Sequence, residues 1–263
     1  GKVQEICDKC VAPSCINPVI CSNLDTSHAA MTDLYRSVDK HPKVKKSFIG
    51  SGIRYDMLVP EFNKNACPKE LEDYTEEVVT NHVSGRLKVA PEHTSDPVLK
   101  LMRKPSFSNF HQFKKLFDKI NLRKKLNLQL IPYFISSHPA SEFEDMANLA
   151  AETKDMGFKL EQVQGFTPTP MTVATVIYYS GYHPYTLEKM KTPKTKKEKD
   201  EQHRFFFWYK KENQDWIRKT LSKAVRNDLI ERLLPTKRFS KDPKNFRVKK
   251  TYEDAVTIPK GKQ

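Results

Sequence analysis

The sequence predicts an α/β fold in which helices cover a small parallel sheet. Two observations carry this prediction: short apolar runs alternate with amphipathic stretches between about residues 25 and 166, and each run ends in a turn or a polar cluster. Strands separated by helices need crossover connections, which make neighbouring strands parallel. The predicted strands are Val44–Gly50, Ser84–Ala90, Leu126–Ile135 and Leu160–Phe166.

The intervening helices are predicted from apolar residues at helical spacing and from capping residues. The expected helices run from Asp25 to about His41, from Pro68 to His82, from Asp96-Pro97 onward, from Asn109 to about Lys125, and over 141–157. Ser141 and Glu144 form the expected capping box of the last helix, and Gly157 suits its carboxyl end.

The pattern changes after Phe166. A turn-rich and then apolar segment covers 167–180, and one long helical region is expected from about Lys196 to Leu234. The sequence therefore predicts four parts: a cysteine-rich loop at 1–24, an α/β part at 25–185, a helical region at 186–235 and a disordered basic tail at 236–263.

Positive charge is concentrated near the carboxyl end. The net charge of the 263 residues is +14, and the segment from Lys191 onward holds 22 Lys and Arg against 10 Asp and Glu. Such a segment, with aromatic residues at 205–209 and at Trp216, indicates an RNA or DNA partner, or simply a solvated lysine-rich tail. A nucleic-acid-binding module is therefore one alternative function.

Composition excludes several classes. The longest apolar runs fall far short of the ~20 residues that a membrane span needs, so no membrane partner is expected. With 15 Phe and 10 Tyr, the chain can form a core. No secretory leader is visible in this sequence, so we expect a cytoplasmic protein with reduced cysteines.

Four of the five cysteines lie close together in sequence. Cys7, Cys10, Cys15 and Cys21 offer four soft ligands in one short loop, whereas Cys67 stands alone and is expected to be structural or exposed. Thiolates bind zinc or iron–sulfur clusters, and the spacing does not separate these two. Unliganded reduced cysteines are the simpler alternative, and a zinc-stapled structural module without catalysis is a second alternative function.

Polar clusters follow all four predicted strands. They begin at Ser51, Pro91, Ser136 and Thr167. Because ligands bind at the carboxyl ends of parallel strands, these clusters indicate a site for a polar ligand, although turn and capping chemistry explains each cluster singly. His93 and His138 lie at the same edge and suit either proton transfer or structural hydrogen bonding.

Three segments resemble radical S-adenosylmethionine (SAM) proteins, and in particular the YgiQ family. They are LKVAPEHTSDPVLKLMRKP, LIPYFISSHPASEFEDM and QVQGFTPTPMTVATVIYYSG, at Leu87–Pro105, Leu130–Met146 and Gln162–Gly181. CVAPSCINPVICSNL and FIGSGIRYDML, at Cys10–Leu24 and Phe48–Leu58, are similar to further segments of that family.

The resemblance implies the last four strands of a partial (β/α)6 barrel. It also implies a [4Fe–4S] cluster that binds SAM and cleaves it to a radical. The family holds this cluster with three cysteines spaced C-x3-C-x2-C, and no three cysteines of this sequence have that spacing. The chain is therefore expected to be part of a longer protein, or to work with an amino-terminal half on a separate chain.

The resemblance also implies SAM-binding residues. Glu92 and Ser95 would lie near the ribose or methionine part, and Arg103 would bind the carboxylate. The remaining implied contacts are Ser136 and Ser137, Phe166 and Thr167 near adenine, and, least defined, Ser51 and Arg54. Cys10, Cys15 and Cys21 match family cysteines outside the cluster motif, which implies a second cluster or a zinc site. No catalytic residue and no substrate is implied.

Overall fold

The computed structural model describes residues 1–235, so the predicted basic tail lies outside the described residues. Helices dominate this part of the chain. The α-helices are α1 Gln4–Asp8, α2 Ala29–Asp39, α3 Pro68–Asn81, α4 Asp96–Leu101, α5 Ser108–Arg123, α6 Phe143–Asp155, α7 Val173–Ser180, α8 Lys196–Phe206, α9 Lys211–Lys223 and α10 Asn227–Leu233, and a 3₁₀ turn covers Tyr55–Leu58. None of these helices is both long and apolar enough to cross a bilayer.

Three parallel strands form the sheet, in the order β1-β2-β3. The strands are β1 Arg86–Glu92, β2 Gln129–Ser136 and β3 Gln162–Gly165. Leu87 lies opposite Leu130, and Phe134 lies opposite Val163. The predicted α/β class and three of the four predicted strands are confirmed. The sheet is open, so the barrel stays an expectation from the resemblance.

The predicted strand at Val44–Gly50 is wrong. This segment has no strand pairing, and Phe48 is half exposed. The chain reaches the edge of β1 only at Ile53, which forms a single parallel bridge with Val89. Gly52 allows this close approach, because a Cβ there would lie 3.0 Å from the carbonyl oxygen of Lys88.

One hydrophobic core unites the helices and the sheet. Phe110, Phe113 and Phe117 on α5 are fully buried against Val78 and Val79 of α3. The carboxyl-terminal helices join this core through Phe205, Phe206, Ile217 and Leu221. The helical region therefore packs as part of the α/β unit.

The long helix expected over 196–234 is broken into α8, α9 and α10. The break after α9 falls at Val225, whose φ is positive, at 56°. The Val225 side chain is 79% exposed and therefore does not join the core. The capping at two other helices also differs from prediction. Asp25 accepts a hydrogen bond from the Ser27 amide before α2, which begins only at Ala29.

The capping box of α6 is shifted by one residue. Glu142 and Asp145 form it, whereas Ser141 is buried and turned toward His93. The shift matters for the site, because it releases the Ser141 hydroxyl to join a buried polar network. Gly157 ends the helix with a φ of 81°, as predicted.

The two faces of the sheet differ. Leu87, Val89, Leu130 and Phe134 point into the core and are buried. The opposite face presents polar and half-buried side chains, and it borders two cavities at and beside the carboxyl ends of the strands.

A candidate ligand site at the strand ends

An open cavity of about 820 Å³ lies where the three strands end. This volume falls within the range of small-molecule sites. The cavity gathers four of the nine residues that the resemblance implied for SAM: Glu92, Arg103, Phe166 and Thr167. Lys104, His138 and residues at the start of α7 complete much of the wall.

Glu92 ends β1 after an irregularity in the pairing with β2. Its φ of 70° places it in the left-handed region, which costs a non-glycine residue conformational energy. One carboxylate oxygen lies 3.3 Å from Lys104 Nζ, and the other is buried without a hydrogen-bond partner among the described residues. Burial raises the pKa of Glu92, and the charge of Lys104 opposes that rise. An unpaired carboxylate oxygen can accept from a ligand hydroxyl or ammonium group.

Arg103 follows α4 and also has a positive φ, of 55°. The side chain is exposed, and within residues 1–235 it forms no ion pair. It lines the strand-end cavity and also a smaller one beside Ser14, Asn17 and Cys21 of the cysteine-rich loop. A free guanidinium at a cavity mouth suits a ligand carboxylate, which it can bind through two parallel hydrogen bonds.

The loop after β2 carries Ser136 and Ser137. The carbonyl of Ser136 accepts a 2.8 Å hydrogen bond from the Phe166 amide, which ties the ends of β2 and β3 together. Ser137 is fully buried, with a φ of 62°. Its hydroxyl has no hydrogen-bond partner in the described chain, although a buried hydroxyl normally finds one. This loop therefore holds a second unsatisfied polar group near the strand ends, and neither of its two serines lines the cavity.

A buried polar network holds that loop against α8. Gln202 Oε1 accepts from the Ser137 amide at 2.7 Å and lies 3.3 Å from the Ser141 hydroxyl, and Gln202 Nε2 donates to the Ser141 carbonyl at 2.6 Å. The Ser141 hydroxyl also lies 3.4 Å from His93 Nε2. Helix α8 thus fixes the backbone on which Ser137 sits.

Both histidines of this edge are buried and neutral. Burial lowers the pKa of His93 to about 3, with the neighbouring His138 adding to the effect, and lowers the pKa of His138 to about 4. His93 Nδ1 accepts from the amides of Thr94 and Ser95. His138 Nδ1 faces the Pro139 carbonyl at 2.9 Å, so that nitrogen carries the proton and Nε2 keeps its lone pair. His93 is structural, and His138 presents a neutral ring to the cavity.

Phe166 forms an aromatic wall. Its ring lies edge-on to His138, with centroids 5.1 Å apart, and 5.7 Å from Tyr178 of α7. Thr167 follows and is exposed at the cavity. A half-buried ring beside an open cavity suits a planar ligand group such as a purine.

The other implied residues lie elsewhere. Ser51 is exposed and lines neither strand-end cavity, and Arg54 lines the second cavity, where it pairs with Asp56 at 2.5 Å. Ser95 precedes α4, with its amide bound to His93. Sequence reasoning missed Lys104 and Gln202. Lys104 adjoins Arg103 in the sequence, whereas Gln202 lies on a helix about 60 residues downstream and carries no local signal.

The structure does not bring the four cysteines together. Cys10 and Cys15 are exposed, and Cys7 and Cys21 are partly exposed. Over residues 1–235, no three His, Cys, Asp or Glu side chains are arranged to hold a metal. The Cys10 sulfur does accept from the Ala12 amide at 3.4 Å. The metal site at these cysteines stays a prediction.

Two of the six aromatic residues of the alternative nucleic-acid surface are internal, and Phe207, Trp208, Tyr209 and Trp216 are partly exposed. Phe205 and Phe206 are fully buried, and Trp216 packs edge-on against Phe205. These two buried rings cannot stack on bases. The nucleic-acid alternative stays a prediction, and part of the basic segment on which it rests lies beyond residue 235.

Comparison with known proteins shows the family. Residues 161–258 match a domain of unknown function, DUF3362, which starts near β3 and includes α7 to α10. A UPF0313 protein of Bacteroides thetaiotaomicron is 57% identical over 89% of this chain, and one of Porphyromonas gingivalis is 55% identical over 89%. A UPF0313 protein of Clostridium botulinum (strain Okra) is 42% identical over 87%.

The alignments cover only part of these relatives. The chain spans 38%, 37% and 34% of their respective lengths. The alignments with these relatives take in at least 229 of the 263 residues, so the strand-end cavity, which is lined by residues between 92 and 185, lies within the part of the chain that this family shares. On this evidence the chain belongs to the UPF0313 family, which is also called YgiQ.

Proposed function

We propose that the strand-end cavity binds SAM, and that this chain supplies part of the SAM site of a radical SAM protein. One observation carries the proposal. Glu92 combines a left-handed backbone with a buried carboxylate oxygen that has no partner among residues 1–235, and it lines the strand-end cavity together with Arg103, which also has a positive φ and forms no ion pair in this part of the chain. Strain and unsatisfied polar atoms are costly, and they persist where a ligand completes the arrangement.

The side chains match the parts of SAM. Arg103 would bind the carboxylate, and the free oxygen of Glu92 would accept from the ammonium group or a ribose hydroxyl. Phe166 would pack on adenine, and the neutral His138 would offer its Nε2 lone pair to a donor of the ligand.

The SAM-cleaving [4Fe–4S] cluster does not fit residues 1–235, because no three cysteines there have the C-x3-C-x2-C spacing and no three His, Cys, Asp or Glu side chains are arranged to hold a metal. We propose that its ligands lie in the part of the family that this chain does not cover, within the (β/α)6 barrel that the resemblance implies. In radical SAM proteins the reduced cluster supplies the electron that cleaves SAM to methionine and a 5′-deoxyadenosyl radical. The residues of this chain would bind and orient SAM and would exclude water from it.

The test is SAM binding by this chain, measured by equilibrium dialysis. Wild-type protein is compared with Arg103→Ala and with Lys115→Ala, an exposed residue of α5 outside the cavity. We expect saturable binding that Arg103→Ala weakens by about tenfold or more, because a charge-assisted pair is lost. Equal affinities for the two variants, or no binding by the wild type, would overturn the proposal.

A second measurement addresses the radical chemistry. A full-length UPF0313 relative, reconstituted anaerobically with iron and sulfide and then reduced, should form 5′-deoxyadenosine from SAM. A protein that binds SAM but forms none of this product after reduction would leave the chain as a SAM-binding module and refute the radical reaction.

A further inference from the structure

A second cavity, of about 360 Å³, lies beside the first on the open face of the sheet. Its walls are β1, β2 and the segment 52–56 that approaches the edge of β1. Lys104 lines both cavities, so the two are neighbours that share one side chain. A ligand in the second cavity would therefore lie next to a ligand in the first.

The charges of this second cavity are unbalanced. Three cationic side chains line it, those of Arg54, Lys88 and Lys104, against the single carboxylate of Asp56. Both oxygens of Asp56 are used by Arg54, at 2.5 and 2.9 Å. Lys88 is exposed on β1 and forms no ion pair within residues 1–235. The cavity thus carries an excess of positive charge, and Lys88 is its unpaired cation.

The rest of the wall is mainly apolar. Ile53, Ala90 and Ile131 line it, and Tyr133 closes the side toward β3, where its hydroxyl bonds to Gln164. Apolar walls lower the local dielectric and strengthen the attraction between a fixed cation and an anion. This combination of one unpaired lysine and an apolar wall suits a small molecule that has both an anionic group and an apolar part.

We infer that the second cavity binds a small molecule bearing a carboxylate or a phosphate group, and that Lys88 recognises this group. Lys104 stands between this molecule and the first cavity. The role of the molecule as the substrate rests on the proposed function, since it would lie next to bound SAM. Anion binding at Lys88 requires no SAM and is tested separately.

The experiment uses this chain at low ionic strength, where charge attraction is least screened. Phenyl phosphate is the probe, because it combines an anion with an apolar ring, and benzyl alcohol is its uncharged counterpart. Affinity is measured by calorimetry, and amide chemical shifts of Gly52 and Lys88 locate the probe. Lys88→Glu and Lys88→Gln are compared with Lys115→Glu, which makes the same charge change outside both cavities.

We expect phenyl phosphate to shift the two amides and Lys88→Glu to weaken its binding by about tenfold, with Lys88→Gln intermediate. Lys115→Glu should change the affinity for phenyl phosphate little, and benzyl alcohol should bind the wild-type chain only weakly. If Lys88→Glu and Lys115→Glu weaken the binding of phenyl phosphate equally, the inference is overturned.

SAM affinity separates this inference from the proposed function. Lys88→Glu should leave SAM affinity unchanged, and a loss as large as that of Arg103→Ala would assign the second cavity to SAM itself, against the inference. Binding of phenyl phosphate without any binding of SAM would refute the proposed function and leave the anion site standing.

Discussion

Replacing Gln202 by leucine tests whether α8 holds the strand-end loop. The Gln202 side chain is 5% exposed and is the hydrogen-bond partner of two buried backbone groups, the Ser137 amide and the Ser141 carbonyl. Leucine has nearly the same size and removes both hydrogen bonds. Each buried backbone group left without a hydrogen-bond partner destabilises the fold by about 1–3 kcal/mol, and the apolar surface that leucine buries offsets part of this loss. We expect the free energy of unfolding to fall by about 2–4 kcal/mol.

Urea unfolding followed by circular dichroism measures this change, and amide hydrogen exchange locates it. Gln214→Leu on α9 is the matched control, because Gln214 is partly exposed and makes one 3.4 Å hydrogen bond. The control should lose about 0.5 kcal/mol or less. Exchange at the Ser137 amide should accelerate only in the Gln202 variant. A loss no larger than that of the control, with unchanged exchange at Ser137, would refute the role of α8.

Three further predictions follow from the site. Ser137→Ala should leave the chain as stable as the wild type or about 1 kcal/mol more stable, because it removes a buried hydroxyl that has no partner among residues 1–235. A variant less stable than the wild type in urea unfolding would contradict this. Folding lowers the pKa of His93 and His138 below 6.5, so the unfolded chain takes up protons first, and stability should fall below pH 6.5 by about 2 kcal/mol per histidine by pH 5. His138→Asn should remove about half of that slope, and an unchanged slope would refute burial as its cause. Anaerobic reconstitution with iron and sulfide should load iron that Cys10→Ser removes, whereas bound zinc without iron would make the loop a structural staple.

The sequence predicted the elements whose signals are local. The stripe of α5 and the start of α3 at Pro68 were found because apolar period and capping are encoded within one segment. Val44–Gly50 was misread because an apolar run does not show whether a partner strand is available. The helix break at Val225 was missed because apolar residues continue at helical spacing on both sides of it. The backbone nevertheless turns at Val225, and α10 begins as a separate helix at Asn227.

The candidate site was predicted in part for the same reason. Glu92 and Phe166 meet because the strand ends of a parallel sheet share one edge, which the alternating pattern predicts. Arg103 follows α4, and only the resemblance to the YgiQ family implied it. Gln202 could not be foreseen, because its contact with Ser137 spans 65 residues and depends on how α8 packs. The lack of partners for the hydroxyl of Ser137 is likewise a property of the folded chain alone.

A crystal structure of this chain with S-adenosylhomocysteine tests the central claim most directly, since this ligand retains the adenine, ribose and amino-acid groups of SAM. The account predicts that the ligand occupies the strand-end cavity, with its carboxylate on Arg103, a hydrogen bond to the carboxylate of Glu92 and adenine against Phe166. A ligand bound elsewhere, or an empty cavity in crystals soaked to saturation, would contradict it.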